Sequence, residues 1–466
     1  MIDLKKTVHF PVLSSIGRIA DDKQASLYAV GGFVRDFFLG REITEIDFVT
    51  EGDGPAFARY ACRKLNGRGL VVFRRFGTAS FLLNALKLEF VSARKESYSK
   101  DSRKPRVSAG DLMDDLSRRD FTINTMAIRL NAPGFGQLMD PFSGQSDLKR
   151  EIIRTPLKPA STFSDDPLRM MRAVRFACQL GFHIEKQTFR AINRERERLR
   201  IVSRERITDE FLKIMSCPRP SAGLRILLES GLLDIVFPEL SDLAGVEQRD
   251  TYHHKDVFEH TVKVVDNLAA VTDNIPLRFA GLVHDIGKPR VKRFVKGTGW
   301  TFHGHEQVGV RMLKTICDRM RLPGEYYRIS KKLTQLHMRP IHLIDESVTD
   351  SAIRRLIVQA GEQLDSLMTL CRADITSGNP GRVKKHLANF DHIVHRMSEV
   401  EEKDRMRAFQ SPVRGEEIMA ACGIGPGPAV GKLKKMIEEA ILDGIIPNDH
   451  DAAFDYLLGI KDDALE

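Results

Sequence analysis

The sequence lacks any apolar run that approaches the roughly 20 residues needed to span a bilayer. Its first residues, MIDLKKTVHF, contain no apolar core and no small-residue cleavage site, so we do not expect a secretory signal. The six cysteines stand singly, without CxxC spacing, and fit neither a disulfide framework nor a zinc ribbon. These absences argue against a membrane-spanning or disulfide-stapled protein, and we expect a cytoplasmic one.

The composition is that of a folded protein with an excess of positive charge. The 466 residues predict about three domains at roughly 100–200 residues each. Hydrophobic residues make up 42% and charged residues 29%, which is not the balance of a disordered chain. Lys and Arg number 72 against 63 Asp and Glu, a net charge of +9. This favours a polyanionic partner such as nucleic acid, although an ordinary basic protein fits equally well.

Two patterns divide the chain. Before residue 130, short apolar or β-branched runs predict strands at Ser26–Val30, Ile46–Thr50, Leu70–Arg74, Ser80–Leu83 and Leu88–Ser92. The polar segment 95–115 is interpreted as a long mobile loop, which in a compact domain is often functional. From about residue 165 the pattern becomes helical, with Pro167 at the start of a helix.

A glycine pair, Gly31-Gly32, follows the first predicted strand. Such a turn lets the backbone approach a phosphate closely, and Arg35 adds paired donors for it. Glu45 and Asp47 are two residues apart in a strand and therefore point to the same face. With Glu89 as a candidate third acid, this face could hold Mg²⁺ for phosphoryl chemistry. A structural turn with surface acids explains the same residues about as well.

Two further motifs are RRDFTIN at 118–124 and SDDPLRMMRAVR at 164–175. The arginines of the second are three residues apart and form a basic ridge on one helix face. Asp166 and Arg169 offer acceptor and donor edges to a nucleobase, so the protein itself could select a base. A salt-bridged helix start and a solvated helix face are the simpler interpretations of the two motifs.

Taken together, the glycine pair with VRD, acid-x-acid, RRDFTIN and DDPLRMMRAVRF resemble the class II tRNA nucleotidyltransferase and poly(A) polymerase family, the CCA-adding enzymes. The resemblance implies an α+β fold, with a polymerase-β-like nucleotidyltransferase head of mixed sheet and helices, then an all-α neck, HD-type body and tail. The implied boundaries are 1–150 for the head, 151–220 for the base-selecting neck, 221–390 for the body and 391–466 for a tRNA-binding tail.

The resemblance also implies an activity, which is template-independent, Mg²⁺-dependent addition of CCA to the 3′ end of tRNA from CTP and ATP. The partners are the tRNA 3′ end and acceptor arm, without a membrane, and the oligomeric state stays open. The catalytic, Mg²⁺-binding residues would be Glu45 and Asp47, with Glu89 as third acid. The nucleotide-binding residues would be Gly32, Arg35, Arg119, Asp120, Asp166, Arg169, Arg172 and Arg175. Segment 95–115 would correspond to one tied to the switch from CTP to ATP.

One position departs from the family, which usually has Asp-x-Asp where this chain has Glu45-Ile46-Asp47. The additional methylene shifts the carboxylate, and in-line chemistry is sensitive to small displacements. We therefore expect lower activity with Mg²⁺ or a preference for Mn²⁺, and a gain from Glu45→Asp.

A second candidate site lies further along the chain, where segments 253–260, 284–289 and 302–306 hold six of the fourteen histidines. Imidazole and carboxylate groups on helices suit a mono- or dinuclear transition-metal site. The pair His284-Asp285 resembles HD-type phosphohydrolases. The implied metal ligands are His260, His284, Asp285 and Asp374, with His305 as an additional one. The single histidines His337 and His342 are predicted to be structural, and a body that serves only as a scaffold is the alternative.

Several functions remain open on the sequence alone. The motifs do not separate CCA addition from A-adding, CC-adding or poly(A) polymerase specificity. An HD phosphohydrolase whose head only binds nucleotide is an alternative of another class, and a non-catalytic RNA-binding protein is a third. In the tail, the glycines of 423–431 lead into a helix and either meet an RNA phosphate or form a plain joint.

Overall fold

The computed structural model describes residues 4, 7–99, 102–247, 256–343, 349–376, 379–408, 411–442 and 445–465. The chain divides into two compact units, one of residues 1–338 with 362–384 and one of residues 339–361 with 385–466. The predicted histidines His253 and His254 lie outside the described residues.

The N-terminal part of the first unit is built around one mixed sheet. Its helices are α1 (Phe10–Asp22), α2 (Gly32–Leu39), α3 (Gly54–Lys64), α4 (Leu112–Ser117) and α5 (Gly144–Lys149). Its strands are β1 (Leu27–Val30), β2 (Glu45–Thr50), β3 (Arg68–Phe73), β4 (Thr78–Leu83), β5 (Leu86–Ser92), β6 (Arg94–Ser99), β7 (Ser102–Ala109), β8 (Ala127–Arg129), β9 (Leu138–Met139) and β10 (Ile152–Ile153). Single 3-10 turns occupy Arg74–Phe76 and Thr122–Asn124.

The seven-stranded sheet has the order β3-β4-β5-β2-β1-β8-β9. Strands β2 and β5 are parallel, and the other neighbours are antiparallel. Its buried face stacks Phe48 on Phe90 and Phe90 on Phe81, with ring centroids 4.8 and 5.6 Å apart, under Phe57 of α3. Because side chains alternate along a strand, the acids of β2 and β5 point to the opposite face.

The rest of the first unit is helical apart from short strands. It contains α6 (Pro159–Asp165), α7 (Leu168–Leu180), β11 (His183–Ile184), α8 (Lys186–Glu195), α9 (Arg204–Met215), α10 (Pro220–Glu229), α11 (Leu233–Val236), α12 (Pro238–Ser241), α13 (Val257–Ala269), α14 (Ile275–Val283), α15 (Lys288–Val291), β12 (Arg293–Val295), β13 (Gly299–Thr301), α16 (His305–Arg319) and α17 (Gly324–Leu336). After α18 (Asp350–Ala360), which belongs to the second unit, α19 (Leu364–Asp374) returns to the first. One buried apolar cluster continues from the sheet through α7 to α17.

The second unit is formed by α18, most of α20 (Pro380–Ala408), α21 (Gly415–Cys422), α22 (Pro428–Leu442) and α23 (His450–Leu465). Its last three helices share a small core of Val413, Ile418, Leu433, Ile437, Ala453 and Leu457. Gly423, Gly425 and Gly427 lead into α22, as predicted, and Gly431 lies within that helix.

The predicted head fold is confirmed, with each of the five strands found within two residues of its expected bounds. The prediction of a loop over 95–115 is wrong, because β6 and β7 pair as a ribbon and α4 follows. Polar side chains on such a ribbon produce no apolar alternation in the sequence, so the strands leave no signal. The helical half also contains β11 and the hairpin β12–β13. The four-part division of the chain stays a prediction. Within the described part of the chain, no helix is long and apolar enough to cross a membrane.

Candidate active site and metal centre

The first site is formed by three carboxylates on the open face of the sheet. In the parallel pair β2 and β5, Asp47 lies opposite Glu89 and Glu45 lies opposite Lys87. One carboxylate oxygen from each of Glu45, Asp47 and Glu89 lies within 4.8 Å of the other two. The structure therefore brings Glu89 to Glu45 and Asp47, which precede it by more than 40 residues in the sequence.

The charge at this cluster favours a cation. Lys87 places its Nζ 2.6 Å from Glu45 Oε1 and 3.1 Å from Glu89 Oε2. Burial is the main cause that raises the pKa of Asp47 to about 6; Glu45 and Glu89 also raise it, whereas Arg119 and Lys87 lower it. The neighbouring side chains thus leave negative charge at Asp47 uncompensated. Hard oxygen donors whose negative charge lacks a full counter-charge from the protein fit Mg²⁺ or Mn²⁺.

A glycine turn connects β1 to α2 beside the acids. Gly31 has φ +69°, and a Cβ there would lie 2.6 Å from Nη1 of Arg119 and 3.8 Å from Oδ2 of Asp47. Only a residue without a side chain leaves room for the Arg119 guanidinium to cross this turn. Gly32 then begins α2, so the start of this helix and a guanidinium both lie next to the carboxylates.

The position of Arg119 depends on Asp115, a fully buried acid that the sequence analysis missed. Asp115 Oδ2 accepts from Nε and Nη2 of Arg119 at 3.1 and 2.9 Å, while Oδ1 accepts from Arg118. Burial would raise the pKa of Asp115, but the two guanidiniums lower it below its usual value. An acid three and four residues before two arginines is the local signal that could have identified it.

Behind the glycine turn, Arg35, Asn124, Asp120 and Arg172 form a buried chain of polar contacts. Arg35 Nη1 donates to Asn124 Oδ1 at 2.8 Å, and Asn124 Nδ2 donates to Asp120 Oδ1 at 2.9 Å. Arg172 Nη2 lies 2.6 Å from Asp120 Oδ2. Burial would raise the pKa of Asp120, but Arg172 and Asn124 lower it to about 2. This chain links α2, through Arg35, to the neck helix α7, through Arg172.

The three arginines of the basic ridge on α7 contact different parts of the protein. Arg169 Nη2 donates to the Arg118 carbonyl oxygen at 2.6 Å, which ties the neck to the RRD motif. Arg175 Nε lies 3.0 Å from buried Glu210, and its guanidinium lies 4.3 Å from the Phe176 ring centroid. Asp166 Oδ2 lies 3.4 Å from Arg206 Nη2 on α9. Arg169 and Arg172 therefore face the head, whereas Arg175 packs against α9.

The second site is a cluster of imidazoles and carboxylates in the helical half. Asp285 is central: His284 Nε2 and His260 Nε2 lie 3.2 and 3.6 Å from its Oδ2. His305 Nε2 and His337 Nε2 lie 3.2 and 3.8 Å from its Oδ1. Asp374, at the end of α19, places Oδ1 2.9 Å from His260 Nε2. Lys288 Nζ also lies 2.6 Å from Asp285 Oδ2.

The four rings are oriented by hydrogen bonds on their outer nitrogens. Nδ1 lies within 3.0 Å of a carbonyl oxygen in three of them: Gly281 for His284, Phe302 for His305 and Thr334 for His337. His260 Nδ1 lies 2.7 Å from the Thr376 hydroxyl. An Nδ1–H donated to a carbonyl leaves the Nε2 lone pair directed inwards, the arrangement typical of metal-ligating histidines.

Two buried atoms of this cluster fit a bound metal. Among the described residues, His284 Nε2 and Asp374 Oδ1 are buried without a hydrogen-bond partner, since their close contacts do not meet hydrogen-bond geometry. Burial would lower the pKa of His284, but Asp285 and Asp374 raise it to about 10. Nitrogen and carboxylate donors with an orphaned lone pair suit a transition metal.

Family models match most of the chain. A poly(A) polymerase head domain matches residues 27–154, a probable RNA- and SrmB-binding site of polymerase A matches 181–243, and an HD domain matches 257–379. The chain is 31% identical to the A-adding tRNA nucleotidyltransferase of Deinococcus radiodurans, over 88% of this chain and 90% of that protein. The chain belongs to the tRNA nucleotidyltransferase and poly(A) polymerase family.

Other members of this family are similarly related. A CC-adding tRNA nucleotidyltransferase of Thermus thermophilus is 30% identical over 91% of this chain and 92% of its own length. A multifunctional CCA protein of Vibrio parahaemolyticus is 32% identical over 75% and 84%, respectively. Among solved structures, a CCA-adding enzyme in an apo form has a TM-score of 0.63 and 25% identity, covering 98% of this chain and 96% of that one.

Within the tRNA nucleotidyltransferase fold, the implied residues come together in two groups, one at the sheet and one around Asp285. Their roles stay predictions, and the internal ion pairs of Arg175 and Arg35 argue that both act through protein contacts. His337, predicted to be structural, places its Nε2 3.3 Å from His305 Nε2 and belongs with His305 and Asp285 to a group that could hold a metal ion. His337 stands alone in the sequence, so only the packing of α17 against α14 and α16 reveals it.

Proposed function

We propose that this protein adds CCA to the 3′ end of tRNA from CTP and ATP, without a template. The observation that carries the proposal is the convergence of Glu45, Asp47 and Glu89 beside the glycine turn of α2. A nucleotidyl transfer needs a cation-binding face next to a triphosphate-binding turn. Relatives named for this class of reaction share most of the chain.

The acid cluster is assigned to Mg²⁺, held by Glu45, Asp47 and Glu89. When bound, the ion supplies positive charge that favours ionisation of the attacking hydroxyl and neutralises the departing pyrophosphate. Asp47 is the central residue, because it lies opposite Glu89 on β5 and opposite Val30, the last residue of β1 before the glycine turn.

Arg119 and the start of α2 are assigned to the triphosphate. The Arg119 guanidinium crosses Gly31, so its donors lie beside the first residue of the helix, Gly32. Two donor groups from different elements can orient a phosphate chain more firmly than either alone. Arg35 and Asp120 lie in the buried polar chain behind this turn. Arg35 is assigned to hold the turn through Asn124, and Asp120, with Arg119, is assigned to the ribose and phosphates of the nucleotide.

Base selection is assigned to Asp166 and Arg169 at the start of α7. Arg169 is tied to the Arg118 carbonyl, which gives its remaining donors a defined direction. Asp166 supplies acceptors and is half-buried beside Arg206. Arg172 and Arg175 support the pair through Asp120 and Glu210, respectively. Donors and acceptors held in this way would select the incoming base in place of a template.

The order of addition is tested by separate incorporation of CTP and ATP. The primers are tRNAs that end before CCA, after CC, and after the complete CCA. Addition of C, C and A followed by arrest supports the proposal. A halt after CC, or addition of A alone, assigns the chain to the specificities named for its Thermus and Deinococcus relatives. Continued A addition identifies a poly(A) polymerase.

The catalytic assignment is tested with Asp47→Ala. Transfer should fall by at least a thousandfold, since in-line phosphoryl transfer depends on the held cation. Asp53→Asn is a matched control, because Asp53 is an exposed helix cap that asparagine replaces well. Transfer that persists in Asp47→Ala contradicts the assignment. Absence of transfer in the unaltered protein, with tRNA binding retained, leaves a non-catalytic RNA-binding protein.

A second activity, metal-dependent phosphohydrolysis, is favoured by the orphaned atoms His284 Nε2 and Asp374 Oδ1. The ligands would be His260, His284, Asp285 and Asp374, and His305 and His337 extend the set. The test is hydrolysis of phosphate monoesters and cyclic phosphates with Mn²⁺, Ni²⁺ or Zn²⁺. Asp285→Ala should abolish hydrolysis and keep nucleotide transfer, and Asp47→Ala should do the reverse. Absence of hydrolysis with every metal leaves the body as a scaffold.

The remaining assignments concern the function of the C-terminal tail and the location of the protein in the cell. Residues 391–466 are assigned to tRNA binding, and truncation after residue 384, which removes the C-terminal segment of the second unit, should raise the KM for tRNA more than that for CTP. A cytoplasmic location is proposed from the tRNA substrate.

A further inference from the structure

The open face of the sheet is covered over only part of its width. Leu112 and Leu116 of α4 pack on Val49 and Tyr28 and close the end over β1, β2 and β8. Beyond the acids, the face continues onto β4 and β3, where Val71, Phe73 and Leu82 are 46%, 52% and 47% exposed. These three residues are called the apolar strip.

Strand register shows that the apolar strip and the acids share one face. Ser80 lies opposite Glu89, and Val71 lies opposite Ser80. One step along the strands, Leu82 lies opposite Lys87. Paired residues of neighbouring strands point to the same side of a sheet. The strip therefore extends the surface of the acid cluster by two strands.

The in-line geometry of the transfer determines whether the primer or the pyrophosphate lies against this surface. The glycine turn assigned to the triphosphate follows β1, on one side of the acids, whereas β4 and β3 lie on the other side. In an in-line transfer the attacking and leaving oxygens lie on opposite sides of the phosphorus. A pyrophosphate that leaves toward α2 thus requires the attacking 3′ hydroxyl to approach from the β4 and β3 side.

We propose that the apolar strip binds the last unpaired nucleotides of the RNA primer, with one base stacked on Phe73. The inference rests on the proposed nucleotidyl transfer and adds the place where the primer end lies. Single-stranded RNA is commonly held by aromatic stacking beside basic groups.

The charges around the strip favour RNA over a second copy of this chain. Leu82 of β4 lies between two cations on the same face, Arg68 on β3 and Lys87 on β5. The exposed Arg74 follows Phe73 in the sequence. These cations complement a phosphate backbone. Two copies paired through the edge strand β3 would bring the same cations together, which opposes such a dimer.

Phe73→Ala tests the stacked base. It should raise the KM for primer tRNA by roughly tenfold, the loss of one aromatic stack, and leave the KM for CTP unchanged. Phe73→Trp should retain the wild-type KM because it keeps a stacking surface. Phe294→Ala is the matched control, since Phe294 is 57% exposed on the β12–β13 hairpin and far from this face in sequence.

A second measurement does not depend on turnover. Primer tRNA with 4-thiouracil in its last nucleotide should photo-crosslink to β3 or β4, and the crosslink should weaken in Phe73→Ala. A protein without transfer overturns the proposed function itself. Transfer with an unchanged primer KM in Phe73→Ala and no crosslink to β3 or β4 overturns only the primer assignment. A concentration-dependent dimer of the free protein that Phe73→Ala abolishes would show that the strip serves a second copy instead.

Discussion

Lys87 holds the Glu45 carboxylate at 2.6 Å from its ammonium group and also lies 3.1 Å from Glu89. The parallel pairing of β2 and β5 places Lys87 directly opposite Glu45, so the contact follows from the strand register. A cation that belongs to the chain thus engages two of the three acids assigned to Mg²⁺. We infer that the ammonium and the metal compete for the same oxygen atoms.

Lys87→Met should therefore lower the Mg²⁺ concentration needed for half-maximal nucleotide transfer. The Lys87 side chain is 43% exposed, so the lost ion pair is worth at most about 1 kcal/mol, or a change of up to roughly fivefold. The measurement is a Mg²⁺ titration of CTP incorporation, with Lys64→Met on the exposed end of α3 as the control. A higher Mg²⁺ requirement would mean that Lys87 helps to order the acids.

Glu45→Asp should increase transfer with Mg²⁺ severalfold and reduce any preference for Mn²⁺. The shorter side chain withdraws from Lys87 and restores the family's usual Asp-x-Asp spacing. Rates with each ion, at saturating CTP and primer, measure the effect. If the ratio of the Mg²⁺ rate to the Mn²⁺ rate is the same in Glu45→Asp and in the unaltered protein, glutamate at this position already places its carboxylate correctly.

Asp47→Asn should stabilise the metal-free protein at neutral pH. Burial raises the folded-state pKa of Asp47 from 3.8 to about 6, so the folded protein binds this proton more tightly than the unfolded chain. The resulting stability is present below pH 4 and is lost as pH rises through about 6. At pH 7 the charge therefore costs roughly 1–3 kcal/mol, which asparagine removes.

The measurement is thermal unfolding in a chelator. At pH 7 the midpoint of Asp47→Asn should lie a few degrees above that of the unaltered protein, and the gap should shrink at pH 5. Glu45→Gln, at a half-exposed position, should change the midpoint less. Added Mg²⁺ should stabilise the unaltered protein alone. A lower midpoint for Asp47→Asn would show that its carboxylate is compensated.

The sequence predicts those parts of the molecule whose signal is local. The head strands are short apolar or β-branched runs bounded by turn or helical stretches, so their positions follow from the pattern. The two-residue spacing of Glu45 and Asp47 within a strand correctly places them on one face. Neighbouring strands bring Glu89 to them, as expected from its place in another predicted strand.

The features that the sequence did not reveal depend on tertiary packing. His337 joins His284 and His305 only because α17 packs against α14 and α16. The β6–β7 ribbon has polar side chains on a strand pair, so no apolar period marks it. Asp115 is an acid in an acidic helix start, and only its complete burial distinguishes it from Asp111 and Asp114.

Asp115→Asn should raise the KM for CTP and ATP by roughly tenfold or more with a smaller effect on the KM for tRNA. The amide cannot hold both guanidiniums, and Arg119 then loses its fixed position over Gly31. Removing one partner of a buried ion pair also costs roughly 3–5 kcal/mol, so the thermal midpoint should fall. Asp111→Asn is the control, because asparagine caps α4 as well as aspartate does. Equal rises in both KM values would indicate a general loss of structure.

His337→Gln should remove one equivalent of bound transition metal and keep another. Each oxygen of Asp285 faces its own histidine pair, with His260 and His284 at Oδ2 and His305 and His337 at Oδ1. These are separate donor sets that share one carboxylate, so they can each hold an ion.

Metal analysis after equilibration with Ni²⁺ or Mn²⁺ counts the ions. Asp285→Ala should lose both, because it removes the shared carboxylate, and His342→Gln should lose none, since His342 lies in the turn Pro340–Leu343 outside the cluster. Nucleotide transfer should persist in all three variants because the acids of the sheet are intact. Unchanged metal content in His337→Gln would limit the centre to a single ion bound by His260, His284, Asp285 and Asp374.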